Sequence, residues 1–336
     1  MYKESWARMR KFSAVMATFI CVLTVLNPVS AAGKEKAPNR IDEPAVRLQW
    51  YKNFAFASGV PWYHIAAVDQ FERNVYSFRE EKDFTYDTIS IIIPNDIWSG
   101  ALNPEEYVRD EYQASVFGGI AKDGDGDGIA DITNEEDVMY TMVEYLRSFN
   151  NFEAALTAYY QDEVSVKIIQ EIATLFKTYD TNELSKRHFP VSLKHTYSYT
   201  DNYGAARGWG GRRSHEGIDV FAGYMTPVLS TAYGVVELIG WNEYGGYRIG
   251  IRDMYSTYQY YAHLHGYEGG LKEGDIVEPG QVIGYVGSTG YGKEGTSGKF
   301  PPHLHFGLYK YDGEVEWAFN PYPHMVRWER ESRKKK

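Results

Sequence analysis

The chain has 336 residues, of which 43% are hydrophobic and 24% are charged, values typical of a globular protein rather than a disordered or membrane-embedded one. Its length exceeds what a single core needs and favours two domains with short appendages. The net charge of −10 is concentrated in residues 41–187, which carry −15, whereas residues 188–336 are neutral. This distribution includes no basic patch of the kind that binds nucleic acid, so we expect no nucleic-acid partner.

The first residues have the three parts of an export signal. A basic stretch precedes an apolar run at residues 12–26, and the small residues at 29–31 are typical of a cleavage site. We therefore expect residues 1–31 to be a signal peptide or an uncleaved membrane anchor, and the remainder to lie outside the cytoplasm. The single cysteine, Cys21, falls in this segment, so a transition-metal site in the mature chain must use His, Asp and Glu.

The hydrophobic periodicity changes once along the chain. Residues 41–185 show helical spacing, as in NEEDVMYTMVEYLRSF, where Thr133 and Glu136 predict a capping box at the start of the helix. Residues 188–322 consist of short β-rich runs between glycine-rich loops, and a basic tail follows at 323–336. The predicted fold class is α+β with several domains: a mainly helical N-terminal domain and a C-terminal antiparallel β-sheet domain.

The helical region contains an acidic loop, DGDGDGIADITN at 123–134, with the spacing of a calcium-binding loop. Oxygen ligands fall at loop positions 1, 3, 5, 7 and 9, which are Asp123, Asp125, Asp127, the carbonyl of Ile129, and Asp131. Asn134 occupies position 12, where a bidentate Glu normally closes the cage. One of the next three acidic residues, Glu135, Glu136 and Asp137, would have to replace it. The spacing predicts calcium binding, with a solvated acidic turn as the alternative.

Two histidines stand one residue apart in the apolar run PPHLHFGLY. Alternate side chains of a strand share a face, so His303 and His305 should project together while Leu304 and Phe306 point to the opposite face. An isolated pair of this kind is more often a hydrogen-bonded core feature than a metal site. The interpretation therefore depends on what other ligands the chain offers.

Further candidate ligands occur in two other segments. RRSHEGIDVFA offers His215 and Asp219 across a turn, and YYAHLHG offers His263 and His265 on a predicted strand. Imidazole and carboxylate groups suit zinc, and a catalytic zinc ion has three protein ligands with a fourth position open for water. These residues together predict a zinc site built from the C-terminal half.

In this order, HEGID at 215–219, YAHL at 261–264 and HLHF at 303–306 resemble the three signature motifs of the lysostaphin-type, LytM-like zinc metallopeptidases, which cut peptidoglycan peptides. The segment LKEGDIVEPGQVIGYVGSTG resembles the lipoyl-like part of that family. The resemblance implies one zinc ion per chain, held by His215, Asp219 and His305. It also implies two catalytic histidines that are not ligands: His303, which we expect to be the general base, and His263, which we expect to stabilise the transition state.

The C-terminal half departs from the family pattern in two places. Gly307 follows HLHF where the family often has Glu, and the loop STGYGKEGTSGKFPP is longer and more polar than usual. We expect both features to line the cleft, where they would affect substrate preference rather than catalysis. His265 matches no family role and is expected to be a surface or packing residue.

The N-terminal half carries a second resemblance. FGGIAKDGDGDGIADITNEEDVMYTMVEYL and SGVPWYHIAAVDQFERN are similar to segments of lysozyme-like lytic transglycosylases, the latter to the helix bearing their catalytic acid. This implies a lysozyme-like fold and places Glu72 at the acid's position, where neighbouring aromatic rings could raise its pKa. Arg73 stands where the family usually has Ser, and its AYN motif is altered to AYYQ. Glycan cleavage, glycan binding without chemistry, and an ordinary exposed Glu all stay open.

The two halves together resemble the sporulation-type L-Ala–D-Glu endopeptidases of spore-forming bacteria. The resemblance implies an exported, zinc-dependent endopeptidase that hydrolyses peptidoglycan stem peptides, at the L-Ala–D-Glu bond of the spore cortex. Peptidoglycan is then the partner, and membrane contact is expected only through an uncleaved N-terminal segment. Two other functions stay open: a bifunctional wall hydrolase whose Glu72 cuts glycan, and a non-enzymatic wall-binding or activator protein.

Overall fold

The computed structural model describes residues 43–78, 86–105, 107–208 and 212–334. The predicted signal peptide lies outside these residues. These described residues all belong to one compact unit. Within the described residues, no helix combines the length and the apolar character needed to cross a membrane.

The described part of the N-terminal region contains six α-helices. They are α1 (Pro44–Ser58), α2 (Trp62–Val75), α3 (Glu111–Val116), α4 (Glu135–Arg147), α5 (Phe152–Tyr160) and α6 (Glu163–Tyr179). A 3-10 turn (Tyr76–Phe78) follows α2, and a short π-helical turn (Asp96–Gly100) precedes α3. The prediction of a mainly helical first half is confirmed; a lysozyme-like fold stays a prediction.

Helix α2 lies at the centre of the helical region. Almost every residue from Ile65 to Val75 is buried, as expected for a helix enclosed on all sides, and α6 packs against it. Helix α4 begins one residue later than the capping box predicted. The side chain of Asn134, rather than Thr133, accepts the backbone N–H of Glu136 at 2.9 Å, because Thr133 instead bonds to Asp131.

The described residues of the second half form twelve strands and a closing helix. The strands are β1 (Tyr197–Ser198), β2 (Ala206–Arg207), β3 (Arg213–Ser214), β4 (Ile218–Ala222), β5 (Pro227–Leu229), β6 (Gly234–Asn242), β7 (Gly246–Asp253), β8 (Thr257–Tyr267), β9 (Ile276–Val277), β10 (Val282–Val286), β11 (His303–Tyr311) and β12 (Glu316–Phe319). Helix α7 (Tyr322–Lys334) covers much of the predicted basic tail.

Ten of these strands form one sheet, in the order β1-β4-β11-β8-β7-β6-β9, with β12 beside β11 and β10 pairing with both β5 and β8. All of the strand pairs are antiparallel, which confirms the predicted antiparallel sheet. Strands β2 and β3 form a separate hairpin. Whether part of the sheet is lipoyl-like stays a prediction.

The helices pack directly against the sheet. Val235, Met254 and Tyr311 of the second half belong to the same buried cluster as the helical core. The amide of Asn74 in α2 donates to the carbonyl of Met254 at 2.9 Å and to the hydroxyl of Ser256 at 2.8 Å. Because these groups are buried and paired, the two halves share an interior surface; their boundary as separate domains stays a prediction.

Candidate metal centre and active-site cleft

Two neighbouring strands bring the predicted zinc ligands together. In β4, Ile218 and Val220 are fully buried in the core, so the intervening Asp219 faces the other way. Strand β11 pairs with β4 so that His305 lies opposite Asp219. His215, just before β4, completes a group whose ligand atoms all lie within 4.8 Å of one another.

The spacing of these ligand atoms fits a tetrahedral metal ion. Nε2 of His215 lies 2.9 Å from Nδ1 of His305 and 3.0 Å from Oδ1 of Asp219, and the last two atoms are 3.2 Å apart. Bonds of about 2.0–2.2 Å to a tetrahedral zinc ion place ligand atoms about 3.3–3.6 Å apart, so a small outward movement of these side chains would accommodate the ion. Two imidazole nitrogens and one carboxylate oxygen are also a donor set that zinc accepts.

Asn202 and Arg207 surround the ligands, and the sequence analysis identified neither. The carbonyl of Asn202 lies 2.8 Å from Nδ1 of His215, so that nitrogen must donate and Nε2 keeps its lone pair. The amide of Asn202 donates to Oδ2 of Asp219 at 3.2 Å, and Arg207 forms an ion pair with the same oxygen. Such contacts fix the orientation of metal ligands. Arg207 belongs to the glycine-rich segment YGAARGWGGRR, which Asn202 immediately precedes.

The electrostatics of Asp219 favour a charged carboxylate. Burial raises the pKa of Asp219, but its contacts with the imidazoles of His215 and His305 outweigh burial and hold that pKa below the ordinary carboxyl range. Burial lowers the pKa of His305, which favours the neutral imidazole. A charged carboxylate and neutral imidazoles are the forms that bind metal ions.

The side chains of strand β11 lie on its two faces as predicted. Leu304 and Phe306 are fully buried in the core, whereas His303 and His305 line the cleft. Nδ1 of His303 lies 2.9 Å from the carbonyl of Pro301, which can only accept. The proton of neutral His303 is therefore on Nδ1, and its bare Nε2 lies 3.7 Å from Oδ1 of Asp219.

His263 reaches the cleft through an irregularity in β8. Tyr258, Tyr260 and Ala262 already alternate into the cleft, so a regular strand would turn His263 toward the core. Instead His263 has a φ of 62°, a left-handed conformation. Its ring then lies 4.8 Å, centre to centre, from that of His303.

The protonation of His263 is also defined by its contacts. Nδ1 of His263 lies 2.8 Å from the carbonyl of Thr289, so this nitrogen donates and Nε2 is bare. Burial lowers the pKa of His263 well below its usual range, and the neighbouring His303 and His305 lower it further. His265, two residues after His263 in β8, is exposed, and its Nδ1 is hydrogen-bonded to the hydroxyl of Tyr224 at 2.9 Å.

The histidines stand in a cleft of about 550 Å³. Its lining includes Tyr291, Phe300 and Pro301, which confirms that the long polar loop borders the cleft. Gly307 lies beside the cleft: a Cβ at this position would be 3.0 Å from the ring of Tyr309 and 3.1 Å from the carbonyl of Glu216. The glycine therefore leaves room for Tyr309, which lines the cleft.

The predicted calcium loop is held largely by its own hydrogen bonds. Asp123 accepts the N–H groups of Gly126 and Gly128, and Asp125 accepts those of Asp127 and of the Asn134 side chain. Asp127 accepts the N–H of Ile129, and Asp131 bonds to Thr133 and pairs with Arg109. Asn134 at position 12 therefore bonds to Asp125 instead of closing a cage.

The acidic cluster that forms within this loop differs from the predicted one. Carboxylate oxygens of Asp123, Asp125 and Asp137 lie within 4.8 Å of one another, and Asp127 and Asp131 are not in that group. Asp137 is buried and accepts the N–H groups of Gly124, Asp125 and Asp131. Calcium binding at Asp123, Asp125, Asp127, Ile129 and Asp131 stays a prediction.

Glu72 is buried rather than exposed. Its side chain is 1% exposed, and its Oε1 accepts a hydrogen bond from the hydroxyl of Tyr160 at 2.9 Å. Tyr160 belongs to the altered AYYQ motif, so the structure brings together the two segments in which the glycan-cleaving resemblance was noted. A catalytic role for Glu72 stays a prediction.

An antiparallel sheet that presents a His, Asp, His group beside two further histidines defines a metallopeptidase. The family model described as peptidase family M23 matches residues 213–317. The L-Ala–D-Glu endopeptidase of Bacillus subtilis (strain 168) is 48% identical over 328 residues, which are 96% of this chain and 99% of that protein. The chain therefore belongs to peptidase family M23.

Other relatives match a smaller part of the chain. Lysostaphin of Staphylococcus simulans is 36% identical over 121 residues, 34% of this chain and 23% of that protein. The crystal structure of the lysostaphin catalytic domain from the same organism has 33% identity and a TM-score of 0.32, covering 40% of this chain and 93% of that one.

Proposed function

We propose that this chain is a zinc-dependent endopeptidase that hydrolyses the L-Ala–D-Glu bond of peptidoglycan stem peptides. The observation that carries the proposal is the group of His215, Asp219 and His305, with the bare Nε2 of His303 beside it in an open cleft. The choice of bond rests on the relative that matches this chain over almost its full length.

Zinc bound by the three ligands would lower the pKa of a water molecule and polarise the scissile carbonyl. His303 has the proton arrangement of a general base, since Nδ1 donates to the Pro301 carbonyl and Nε2 is free to take the proton of the attacking water. The imidazolium formed can then protonate the leaving amine. His263 would stabilise the developing oxyanion only with a proton on Nε2, which its lowered pKa opposes.

The proposal includes where the enzyme acts. The apolar segment at residues 12–26 supports export, and peptidoglycan lies outside the cytoplasm. We propose action at the cell wall, at the forespore cortex in particular, with membrane contact only through that segment if it is uncleaved.

The decisive experiment is digestion of intact and cortex peptidoglycan by the purified, zinc-quantified protein, followed by mass spectrometry of the fragments. We expect products with a single L-Ala on muramic acid. The His303→Ala variant should keep its zinc and lose at least a hundredfold in rate. His265→Ala, at an exposed position, is the matched control. Cleavage at other bonds would refute the L-Ala–D-Glu assignment, and full activity of His303→Ala would remove it from the mechanism.

The contact between Glu72 and Tyr160 keeps glycan cleavage as a second candidate function. A lytic enzyme would leave anhydro-sugar ends in the same digests. Such ends, lost in Glu72→Gln and retained in His303→Ala, would establish a bifunctional wall hydrolase. Their absence would leave Glu72 a buried structural residue.

A further inference from the structure

The cleft holds two arginines that form no ion pair and exceed the acidic side chains left to balance them. Asp219 pairs with Arg207 and Glu316 with Arg252, whereas Glu216 bonds to the hydroxyl of Tyr309 and is one carboxylate against two arginines. Arg213 and Arg248 also line the cleft, and neither forms an ion pair within the ranges that the structure describes. Their positive charge therefore faces the space in which a peptide substrate would lie.

Arg248 is held in place by its surroundings. It is half-buried in β7, and its Nε atom is buried without a hydrogen-bond partner. Its guanidinium forms a hydrogen bond with the hydroxyl of Tyr260. Burial raises the pKa of this tyrosine, and the charge and hydrogen bond of Arg248 oppose that rise. A buried guanidinium donor without an acceptor destabilises the protein. In the free protein Arg248 therefore lacks a hydrogen bond that a bound anion would supply.

Glycine residues leave the space that Tyr260 and Arg248 occupy. A Cβ on Gly245 would lie 2.3 Å from the Tyr260 hydroxyl oxygen. In the sheet, Tyr260 is paired with Gly250 on β7 and with Gly307 on β11, so neither directly paired position has a side chain of its own. Both Tyr260 and Arg248 line the cleft.

The distance to the metal centre can be read from the sheet. Arg248 lies opposite the irregular Ala262–His263 step of β8, and Ala262 is paired on its other side with His305. Two strand spacings, about 10 Å, thus separate the backbones of Arg248 and His305. Since Arg248 and His305 both line the cleft, a peptide that is held at the metal and runs across these strands would pass Arg248.

We propose that Arg248, supported by Tyr260 and Arg213, binds the free carboxylate of the D-Glu residue that follows the scissile bond. The inference rests on the proposed function, because it takes the L-Ala–D-Glu bond as the substrate. A glutamate residue has two carboxyl groups, one on the main chain and one on the side chain. Only one of them can form the peptide bond to the next residue. The other carries a negative charge, which arginine binds with paired hydrogen bonds.

The test compares three peptides that share the L-Ala–D-Glu bond. One has the free D-Glu carboxylate, one has it as a primary amide, and one has instead an amidated carboxylate on the third residue. We expect the wild-type protein to lose about 10- to 100-fold in kcat/KM when the D-Glu carboxylate is amidated. Arg248→Gln should lose a similar factor on the acid peptide and then show almost no further loss with the amide.

Arg212→Gln is the matched control, because it removes the same charge from an exposed position outside the cleft lining. Zinc content and thermal midpoint show whether each variant is folded. Equal losses on amidation in wild type and Arg248→Gln would overturn the proposal, as would a loss confined to the third-residue amide. Hydrolysis of both D-Glu peptides at one rate refutes this inference alone, whereas hydrolysis of none refutes the proposed function as well.

Discussion

At the scale of single residues, the metal centre depends on a glycine, which has no side chain to collide with a ligand. Gly217 lies between His215 and Asp219, and the His305 ring lies over it. A Cβ on Gly217 would be 2.8 Å from Nε2 of His305 and 2.6 Å from the carbonyl of Phe306. No side chain fits there without displacing a ligand or its strand.

Gly217→Ala should therefore weaken the proposed zinc site by at least tenfold, since it forces the His305 ring away from the other two ligands. Gly223→Ala is a matched control, because the nearest atom to its added Cβ is 3.8 Å away. Zinc affinity would be measured by competition with a chelating dye. Unchanged affinity in Gly217→Ala would show that the His305 ring is not held over this glycine.

The alternation of a strand predicted His303 and His305 correctly, because β11 is regular at that point. The same rule fails for His263. Its position in the cleft requires a left-handed backbone conformation, which non-glycine residues rarely adopt and which no local pattern signals. Asn202 and Arg207 were missed for a different reason: their contacts to the ligands arise from tertiary folding of an irregular loop.

At the scale of an element, the acidic loop before α4 is held by a residue of the helix as well as by its own hydrogen bonds. Asp137 lies in the first turn of α4 and receives three backbone N–H groups of the loop. Periodicity predicted α4 well, because its apolar face is continuous. It could not predict this contact, because Asp137 accepts backbone N–H groups of an irregular loop, which leave no trace in the helical period.

Asp137→Ala should lower the free energy of unfolding by about 2–4 kcal/mol, because it removes a buried carboxylate that accepts three N–H groups of the loop. Asp127→Ala, which removes an exposed carboxylate with one loop hydrogen bond, should change it by less than about 0.5 kcal/mol. Chemical denaturation of both variants measures the difference. Similar values for the two would show that Asp137 does not hold the loop.

The calcium prediction is tested on the wild-type protein and on a variant of Asp125. If the loop binds Ca²⁺, the thermal midpoint of the wild-type protein should rise with calcium concentration, and Asp125→Asn should reduce that rise. An unchanged midpoint at millimolar Ca²⁺ would favour the solvated acidic turn.

At the scale of the whole molecule, a pair of carboxylates is buried where α6 meets the sheet. Glu171 of α6 and Glu237 of β6 lie beside each other, with Lys167 3.7 Å from the first and 3.5 Å from the second. Burial and the charge of Glu237 raise the pKa of Glu171. Arg252 and Glu171 itself stabilise charged Glu237, whose pKa is lowered despite burial.

This pair predicts a loss of stability at alkaline pH. The folded state keeps a proton on Glu171 that the unfolded state releases above the ordinary carboxyl range, so stability falls as pH rises toward the folded pKa. Between pH 7 and pH 9, above the histidine range, the unfolding free energy should fall by up to about 1.4 kcal/mol per pH unit. Glu171→Gln should flatten this dependence, and the exposed Glu183→Gln should not. Parallel pH profiles would contradict a retained proton.

Sequence periodicity predicted which half is helical and which half is a sheet, because those patterns are local. It gave no sign that Val235, Met254 and Tyr311 would join the helical core, because nothing in their local sequence distinguishes them from residues of the sheet's own core. The shared interior, like the carboxylate pair, depends on contacts between residues far apart in sequence.

The hydroxyl of Tyr311, at the end of the strand that begins with His303, donates to the side chain of Asp162 at 2.6 Å, and Asp162 also caps α6. This contact bears on how such enzymes can evolve. Peptidase domains joined by flexible linkers can be recombined with new partners in one genetic event. Here a replacement partner would have to supply an acceptor for Tyr311 and an apolar surface for its neighbours. The two halves are therefore expected to be inherited together and to change by paired substitutions.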